Sequence, residues 1–332
     1  MKNISIGIVG TNFVTEMFMT GINLVAGFNV VAVCATREES VAKFTAKYQV
    51  NQTFFDYRKL AEVDSLDAVY LAVPNHLHHE MALYFLNKKI SVFCEKPLGV
   101  NPQQVMEMIE ASNQDHTLLQ DGIVPLYTEN YLRLKENLEN IGRLRRVVFT
   151  FARYSTRYDT YLRGENPPTF RLEFCNGSLL DMGVYCVAVA VGLFGRPAGV
   201  LANAIKLSNG VDCMGSAILI YDDFEVVIMH SKVTNSSITS EIQGEQGNLY
   251  IDSISRMDKV FLHLRNQGPI QLGAATEDGF KDELLDFRDN LLNRRVESRL
   301  VSHQLSYDIA EVLYEIRKQS GISYPCYGEE NT

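Results

Sequence analysis

Residues 4 to 15 read ISIGIVGTNFVT, an apolar run that stops at Gly10 and passes directly into the helical period of VTEMFMTGINL. Small and β-branched residues, a glycine turn and a 3.6-residue repeat describe a strand that runs into a helix. The unit recurs. Strands are predicted at 4–9, 29–34, 52–55, 67–73, 90–94 and 117–120. Helices of about 10 to 14 residues separate them, the connection length that parallel neighbours require. The series predicts a doubly wound parallel sheet of Rossmann type over residues 1–121.

The pattern changes after Gly122. A helix near 128–140 leads into RRVVFTFARYS, and then VDCMGSAILIYD, FEVVIMHSKV, SSITSEIQGE and GNLYIDSI follow as strands parted by Gly, Asn or Asp. Strands in succession without helices predict an open, largely antiparallel sheet with helices on one face, so residues 122–332 are read as an α+β domain. Two helices, near 281–293 and 302–318, close the chain, and the last is expected to pack back on the first domain. The open sheet face needs a cover, and a second copy of the chain supplies one. A homodimer or homotetramer through this sheet is therefore expected.

Composition narrows the class. With 46% hydrophobic and 21% charged residues, 22 Gly and 9 Pro, the 332-residue chain reads as globular and free of low-complexity tracts. A net charge of -9 and a pI near 5.4 oppose a sequence-independent grip on nucleic acid. The N-terminus opens into a strand without a signal-type apolar segment, and no run is read as reaching membrane-spanning length. Cytoplasmic placement without a membrane partner is expected. The six cysteines, Cys34, Cys94, Cys175, Cys186, Cys213 and Cys326, have no zinc or redox spacing and are expected to be small buried thiols. The run HLHH at 76–79 has no second ligand cluster behind it, so no metal is assigned.

A dinucleotide site needs a tight turn here, with backbone N–H groups at the helix start facing a pyrophosphate. Gly10 supplies the turn. In the pattern G-x-G-x-x-G the second glycine falls at Asn12 and the third small residue at Thr15. Asn tolerates positive φ, so the turn is expected to survive with Asn12 in that conformation. Thr36 and Arg37 follow the second strand, in the region where an NAD-preferring site would place an acid. A hydroxyl beside a guanidinium suits a 2′-phosphate, so NADP(H) is favoured over NAD(H).

The fourth predicted strand runs into VPNHLHH and the fifth into FCEKPLG. Both ends fall at the edge that holds Gly10, and charge is rarely left where a buried strand stops unless it is paired or used. Together with the Gly10-Thr11 loop, the segments Pro74-Asn75-x-x-His78, Glu95-Lys96-Pro97 and NGSLLDMGVY give the chain, over nearly its whole length, a form that resembles the Gfo/Idh/MocA oxidoreductases. The resemblance implies cofactor contacts from Gly10, Thr11, Asn12, Phe13 and Val14, and from Val73, Pro74, Asn75, His78 and Glu95. It also implies that Lys96 lies near the nicotinamide and the reacting hydroxyl. The later motif would supply the second catalytic group. Many members end that motif in D-x-G-x-H, whereas this chain has Asp181-Met182-Gly183-Val184-Tyr185. A tyrosine there looks like the glucose-fructose oxidoreductase and dihydrodiol dehydrogenase branch and points away from inositol dehydrogenase proper.

A tyrosine with an ordinary pKa of about 10 is a poor base near neutrality, and a neighbouring ammonium lowers that value. Lys96 is assigned that role and Tyr185 the proton transfer. Asp181 and Tyr185 are four apart, so on a predicted helix they share one face, where Asp181 orients the substrate or Lys96, or only caps the helix. Tyr154, Arg163 and Arg171 are candidate substrate contacts, and residues 155–174 are expected to form a loop over the cleft. The expected activity is hydride transfer between NADP(H) and a secondary alcohol or ketone of a sugar, polyol or diol. A redox-neutral oxidative elimination of a glycoside and a non-catalytic NADP sensor are the alternatives.

Overall fold

The computed structural model describes residues 3–275 and 278–324. The chain divides into two compact units, residues 1–122 with 280–306 and residues 123–279 with 307–332.

The first unit carries six strands: β1 (Ile4–Val9), β2 (Phe28–Cys34), β3 (Gln52–Phe54), β4 (Ala68–Leu71), β5 (Ser91–Glu95) and β6 (Leu119–Gly122). All neighbours are parallel, in the order β3-β2-β1-β4-β5-β6. Ile6, Ile8, Val69, Val92 and Phe93 are fully buried, as befits a sheet covered on both faces. The crossovers hold α1 (Phe13–Leu24), α2 (Glu38–Tyr48), α3 (Tyr57–Leu60), α4 (His78–Leu86) and α5 (Pro102–Asp115). Local chemistry sets their ends. Asn101 caps α5 through Gln104 N–H at 2.9 Å, Pro102 fits the first turn, and His116 closes it in the left-handed region at φ +51°.

This strand order reverses between β1 and β4, which places the ligand crevice of such a sheet at their carboxyl ends. There Gly10 takes φ +101°, and a Cβ on it would lie 2.0 Å from the Ala72 carbonyl oxygen. β4 ends at Leu71, two residues before the predicted end, and the chain bends at Val73. The Ala72 N–H still bonds Val9, at 2.9 Å, while its carbonyl turns toward Asn12.

The second unit opens with α6 (Glu129–Glu136) and holds an eight-stranded sheet. Its strands are β7 (Leu144–Ala152), β8 (Gly199–Lys206), β9 (Asp212–Ile220), β10 (Glu225–Ser231), β11 (Ser240–Gly244), β12 (Gly247–Ile251), β13 (Val260–Leu264) and β14 (Ile270–Leu272). They run in the order β14-β13-β12-β11-β7-β10-β9-β8; β7 and β10 are parallel and every other pair antiparallel. β8, β13 and β14 escaped the sequence reading. β8 is an edge strand that turns Leu201 and Ile205 outward, 58% and 56% exposed, so its residues show no clean apolar and polar alternation.

Two further expectations are corrected here. Residues 155–174 are no plain loop: they hold α7 (Thr156–Leu162), capped by Ser155, and short 3₁₀ turns at Pro168–Phe170 and Leu172–Phe174. The stretch Leu172–Phe194 does reach membrane-spanning length, with a mean hydropathy of 1.8, and 67% of that window is buried in the protein. It contains α8 (Val184–Phe194), whose residues from Cys186 to Val191 are buried all round, a core helix of this unit.

The chain closes with α9 (Gly279–Leu292) and α10 (His303–Gln319). From Phe280 onward α9 belongs to the first unit, where Phe280 meets Phe18 and Phe287 lies 5.1 Å from Phe93 between ring centres. Cys34, Cys94, Cys175, Cys186 and Cys213 are buried thiols, and Cys326 lies outside the described residues.

Gly10→Ala is expected to lower the unfolding free energy by about 2 to 4 kcal/mol, since it adds left-handed strain to a clash with fixed backbone. Urea denaturation reads the change. An unaltered midpoint would mean that the turn relaxes at little cost.

Candidate active site

The first unit gathers its candidates at the carboxyl ends of β1, β2, β4 and β5. Asn12 does not adopt positive φ as the sequence suggested. At φ −93° it is extended and acts as the N-cap of α1. Its Oδ1 accepts the Val14 N–H at 2.9 Å and the Thr15 N–H at 3.2 Å, while Nδ2 donates to the Ala72 carbonyl at 2.9 Å. The carboxamide thus ties the end of β4 to the start of α1. Thr15 is fully buried, and its hydroxyl donates to the Gly10 carbonyl at 3.0 Å, bracing the turn from beneath. Thr11 is half-buried, Phe13 is 76% exposed and Val14 partly covered. Thr36 and Arg37 are exposed after β2, and the Arg37 guanidinium makes no ion pair among the described residues.

After β4 the chain passes through Val73 and Pro74 into a 3₁₀ turn at Asn75–Leu77. His78 follows, 1% exposed, with one ring nitrogen 2.8 Å from the Pro97 carbonyl oxygen and the other 2.9 Å from that of Val73. The imidazole therefore straps the chain beyond β4 to the chain beyond β5. Burial holds its pKa below the ordinary value, against the pull of the two carbonyls. At the end of β5, Glu95 is buried and accepts the Tyr70 hydroxyl at 2.6 Å. Burial pushes the Glu95 carboxyl up to about 7, opposed by the Tyr70 hydroxyl and by the charge and N–H of Lys96. Lys96 is half-buried and joined to Pro97 by a cis peptide bond. His79 pairs with Glu107 at 2.7 Å, and among the described residues no set of three or more His, Cys, Asp or Glu gathers for a metal.

The second unit places Asp181 and Tyr185 where β10 ends. Leu179–Gly183 form a π-turn and α8 starts only at Val184, so the even helical face expected for the pair is replaced by a wider turn. Each side chain has its own neighbour. Asp181 Oδ2 lies 2.7 Å from Nζ of Lys232, and the Tyr185 ring stands edge-on to Phe151 at 5.7 Å. The N–H of Leu179, at the start of the turn, is held by Asp212, fully buried at the start of β9, which accepts it at 2.7 Å. Burial pushes the Asp212 carboxyl up to about 7, while N–H groups and Lys232 pull it back. Gly183 is small because His230 lies over it: a Cβ would come within 3.0 Å of the imidazole ring. His230 is buried against the Ser178 hydroxyl at 2.8 Å, and burial lowers its pKa to about 4.

Of the substrate candidates, the Tyr154 hydroxyl donates to Asp159 at 2.6 Å, and Arg163 reaches Glu165 at 3.2 Å. Arg171 donates to the Asn166 carbonyl at 2.8 Å and lies over the Phe174 ring. Each is anchored within its own segment, beside a cluster of Tyr158, Tyr161 and Phe170. The sequence reading missed Tyr70, Thr169, Asp212, His230 and Lys232. One signal was available: His-Ser-Lys closes the apolar strand VVIM just as Glu-Lys-Pro closes β5.

Residues 4–122 match the GFO_IDH_MocA oxidoreductase family with an NAD-binding Rossmann fold, and residues 131–250 match the GFO/IDH/MocA C-terminal domain. The chain is 38% identical over 324 residues to the scyllo-inositol 2-dehydrogenase (NADP(+)) IolU of Bacillus subtilis (strain 168), covering 97% of this chain and 98% of that protein. A trans-1,2-dihydrobenzene-1,2-diol dehydrogenase of Danio rerio is 25% identical over 308 residues, or 89% of this chain and 90% of the other. The relatives thus include both an inositol dehydrogenase and dihydrodiol dehydrogenases. Among solved structures, the 3-ketoreductase KijD10 of Actinomadura kijaniata with NADP and TDP-benzene shares the fold, with a TM-score of 0.86 at 19% identity over 96% of this chain and 98% of that one.

The raised Glu95 carboxyl has a measurable sign. Unfolded, it titrates near 4.5; folded, near 7, so between these values the folded state keeps a proton that the unfolded state has lost. Wild-type stability should therefore fall relative to Glu95→Gln by about 3 kcal/mol as pH rises from about 5 to about 8. Parallel denaturation curves at the two ends of that window would contradict the shift.

Proposed function

The chain belongs to the Gfo/Idh/MocA family of oxidoreductases, and from that premise we propose that it transfers hydride between NADP(H) and a secondary alcohol or ketone of an inositol-like polyol. The observation that carries this reading is full-length similarity, at 38% identity, to a protein named as an NADP-dependent scyllo-inositol dehydrogenase.

The residues of the first unit fit a nicotinamide dinucleotide. Gly10, at φ +101° and with no Cβ to strike the Ala72 carbonyl, makes the tight turn at the start of α1 that suits a pyrophosphate. Thr11, Asn12, Phe13 and Val14 would border the phosphates, and Val73, Pro74, Asn75 and His78 the nicotinamide side. Thr36 and the exposed guanidinium of Arg37 offer the hydroxyl and the charge that a 2′-phosphate takes. When bound, the nicotinamide gives or accepts the hydride. The proton is moved by this chain's own side chains. Tyr185 takes it from the hydroxyl or returns it to the ketone oxygen, and Lys96 supplies the positive charge that the exchange requires. Asp181 accepts a hydrogen bond from a substrate hydroxyl, and Tyr154, Arg163 and Arg171 contact the rest of the polyol. Glu95 holds the strand end in place from beneath.

The exposed Leu201, Ile205 and Ile220 on the second sheet support self-association through that face. Light scattering should then give a mass of two chains or more; a monomer at micromolar concentration would remove the assignment.

In a fluorescence titration NADPH should bind about tenfold or more tightly than NADH, as expected for a charge-assisted contact to a 2′-phosphate. Oxidation of scyllo-inositol with NADP+ should appear as the absorbance of the reduced nicotinamide. Tyr185→Phe should then lower kcat by about 10² to 10⁴ and leave NADPH affinity nearly unchanged. Full activity in that variant removes Tyr185 from the chemistry, and a protein that binds neither cofactor removes the reading itself.

A further inference from the structure

The π-turn of the second unit rests on an ammonium group that the proposed reaction has not used. Lys232 follows β10 directly and is 2% exposed. Its Nζ lies 2.7 Å from Asp181 Oδ2, donates to the Thr169 hydroxyl at 2.6 Å and sits 5.3 Å from the centre of the Phe170 ring. A buried ammonium is tolerated only when paired and hydrogen-bonded, so these contacts are conditions for the lysine to be there at all. Burial within the pair is lopsided. The lysine is sealed in, while the Asp181 side chain keeps 38% of its surface exposed. A purely structural ion pair has no need to present its carboxylate outward from a fixed cation. Thr169 and Phe170 meanwhile belong to the segment that also carries Tyr154, Arg163 and Arg171.

We propose that Lys232 is a positioning residue: one ammonium fixes the Asp181 carboxylate toward the polyol and anchors residues 169–170, so that both are set as one piece. This rests on the polyol dehydrogenase reading for the role of Asp181. Its geometry stands within the second unit alone. The ligand it serves is a hydroxyl donor, because a carboxylate held by a cation on one side accepts hydrogen bonds on the other.

The test is a cycle of wild type, Lys232→Met, Asp181→Asn and the double variant, assayed with scyllo-inositol and NADP+. Lys232→Met should lower kcat by about 10- to 100-fold, the cost of a misplaced orienting group, and raise the KM for polyol while NADPH affinity stays within about twofold. In the Asp181→Asn background the same change should alter kcat by less than about twofold, since the lysine then has no carboxylate to position. Full multiplication of the two effects, or an unchanged kcat in Lys232→Met, overturns the proposal. A second readout needs no turnover. Trypsin should cut at Arg157, Arg163 and Arg171 about tenfold faster in Lys232→Met than in wild type, as mapped by mass spectrometry. Equal rates overturn the anchoring. If wild type oxidises no polyol, the dehydrogenase reading fails and the cleavage rates still decide whether Lys232 anchors the segment. Should Lys232→Met fail to bind NADPH or to fold, Thr169→Val removes one anchor and keeps the charge. Faster cleavage is then expected, and unchanged cleavage counts against the proposal.

Discussion

One backbone oxygen, that of Ala72, constrains the ligand edge of the first unit. β1 and β4 are neighbours in a sheet whose chain departs in opposite directions from them, so the turns after both strands must share a narrow space. The Ala72 carbonyl fills it. Gly10 yields by having no Cβ, and Asn12 yields by turning its carboxamide back to donate to the same oxygen while capping α1. A sequence that departs from the usual glycine pattern thereby keeps the tight turn. His78 extends the arrangement sideways, bridging the carbonyls of Val73 and Pro97, so that the turns after β1, β4 and β5 are braced against each other. Such bracing favours a preformed cofactor edge over one that must order on binding.

The second unit solves a related problem with charge. Its core helix α8 is preceded by a wide turn whose first N–H groups would be buried without partners. Asp212 reaches in from β9 to accept them, and Lys232 reaches in from the end of β10 to hold Asp181. Glu95 in the first unit and Asp212 in the second are both buried acids pushed up to about 7, and both are held by hydrogen bonds donated to them. Each stands where a regular element meets a candidate catalytic residue: Glu95 beside Lys96, Asp212 behind the turn of Asp181. In both places the fold gives up some electrostatic comfort to keep a strand end and a turn in fixed register.

Much of this was legible in the chain. The six strands of the first sheet were visible because each is a short apolar run bounded by turn residues, and their boundaries moved by no more than two residues. The Gly10 turn, the buried cysteines and the two closing helices were likewise readable from local pattern. Less legible was β8, which exposes leucine and isoleucine and so lacks the alternation that marks a half-buried strand. The conformation of Asn12 was misread for a different reason. Local propensity allows Asn a positive φ, but a nearby carbonyl and two open helix N–H groups favour the extended cap.

The sequence by itself determined the order of elements, the positions of Gly10, Lys96, Asp181 and Tyr185, and a family resemblance that the matches to known proteins upheld. These depend on neighbours close in the chain, where hydrophobic period and turn chemistry act directly. Only the tertiary structure decided what each of those residues touches. Lys232 is 51 residues from Asp181 and Tyr70 is 25 from Glu95, and no local pattern encodes which charge or hydroxyl will be brought beside another. Such partnerships arise when sheet pairing carries distant strand ends to one place, and burial there obliges every charge to find a partner.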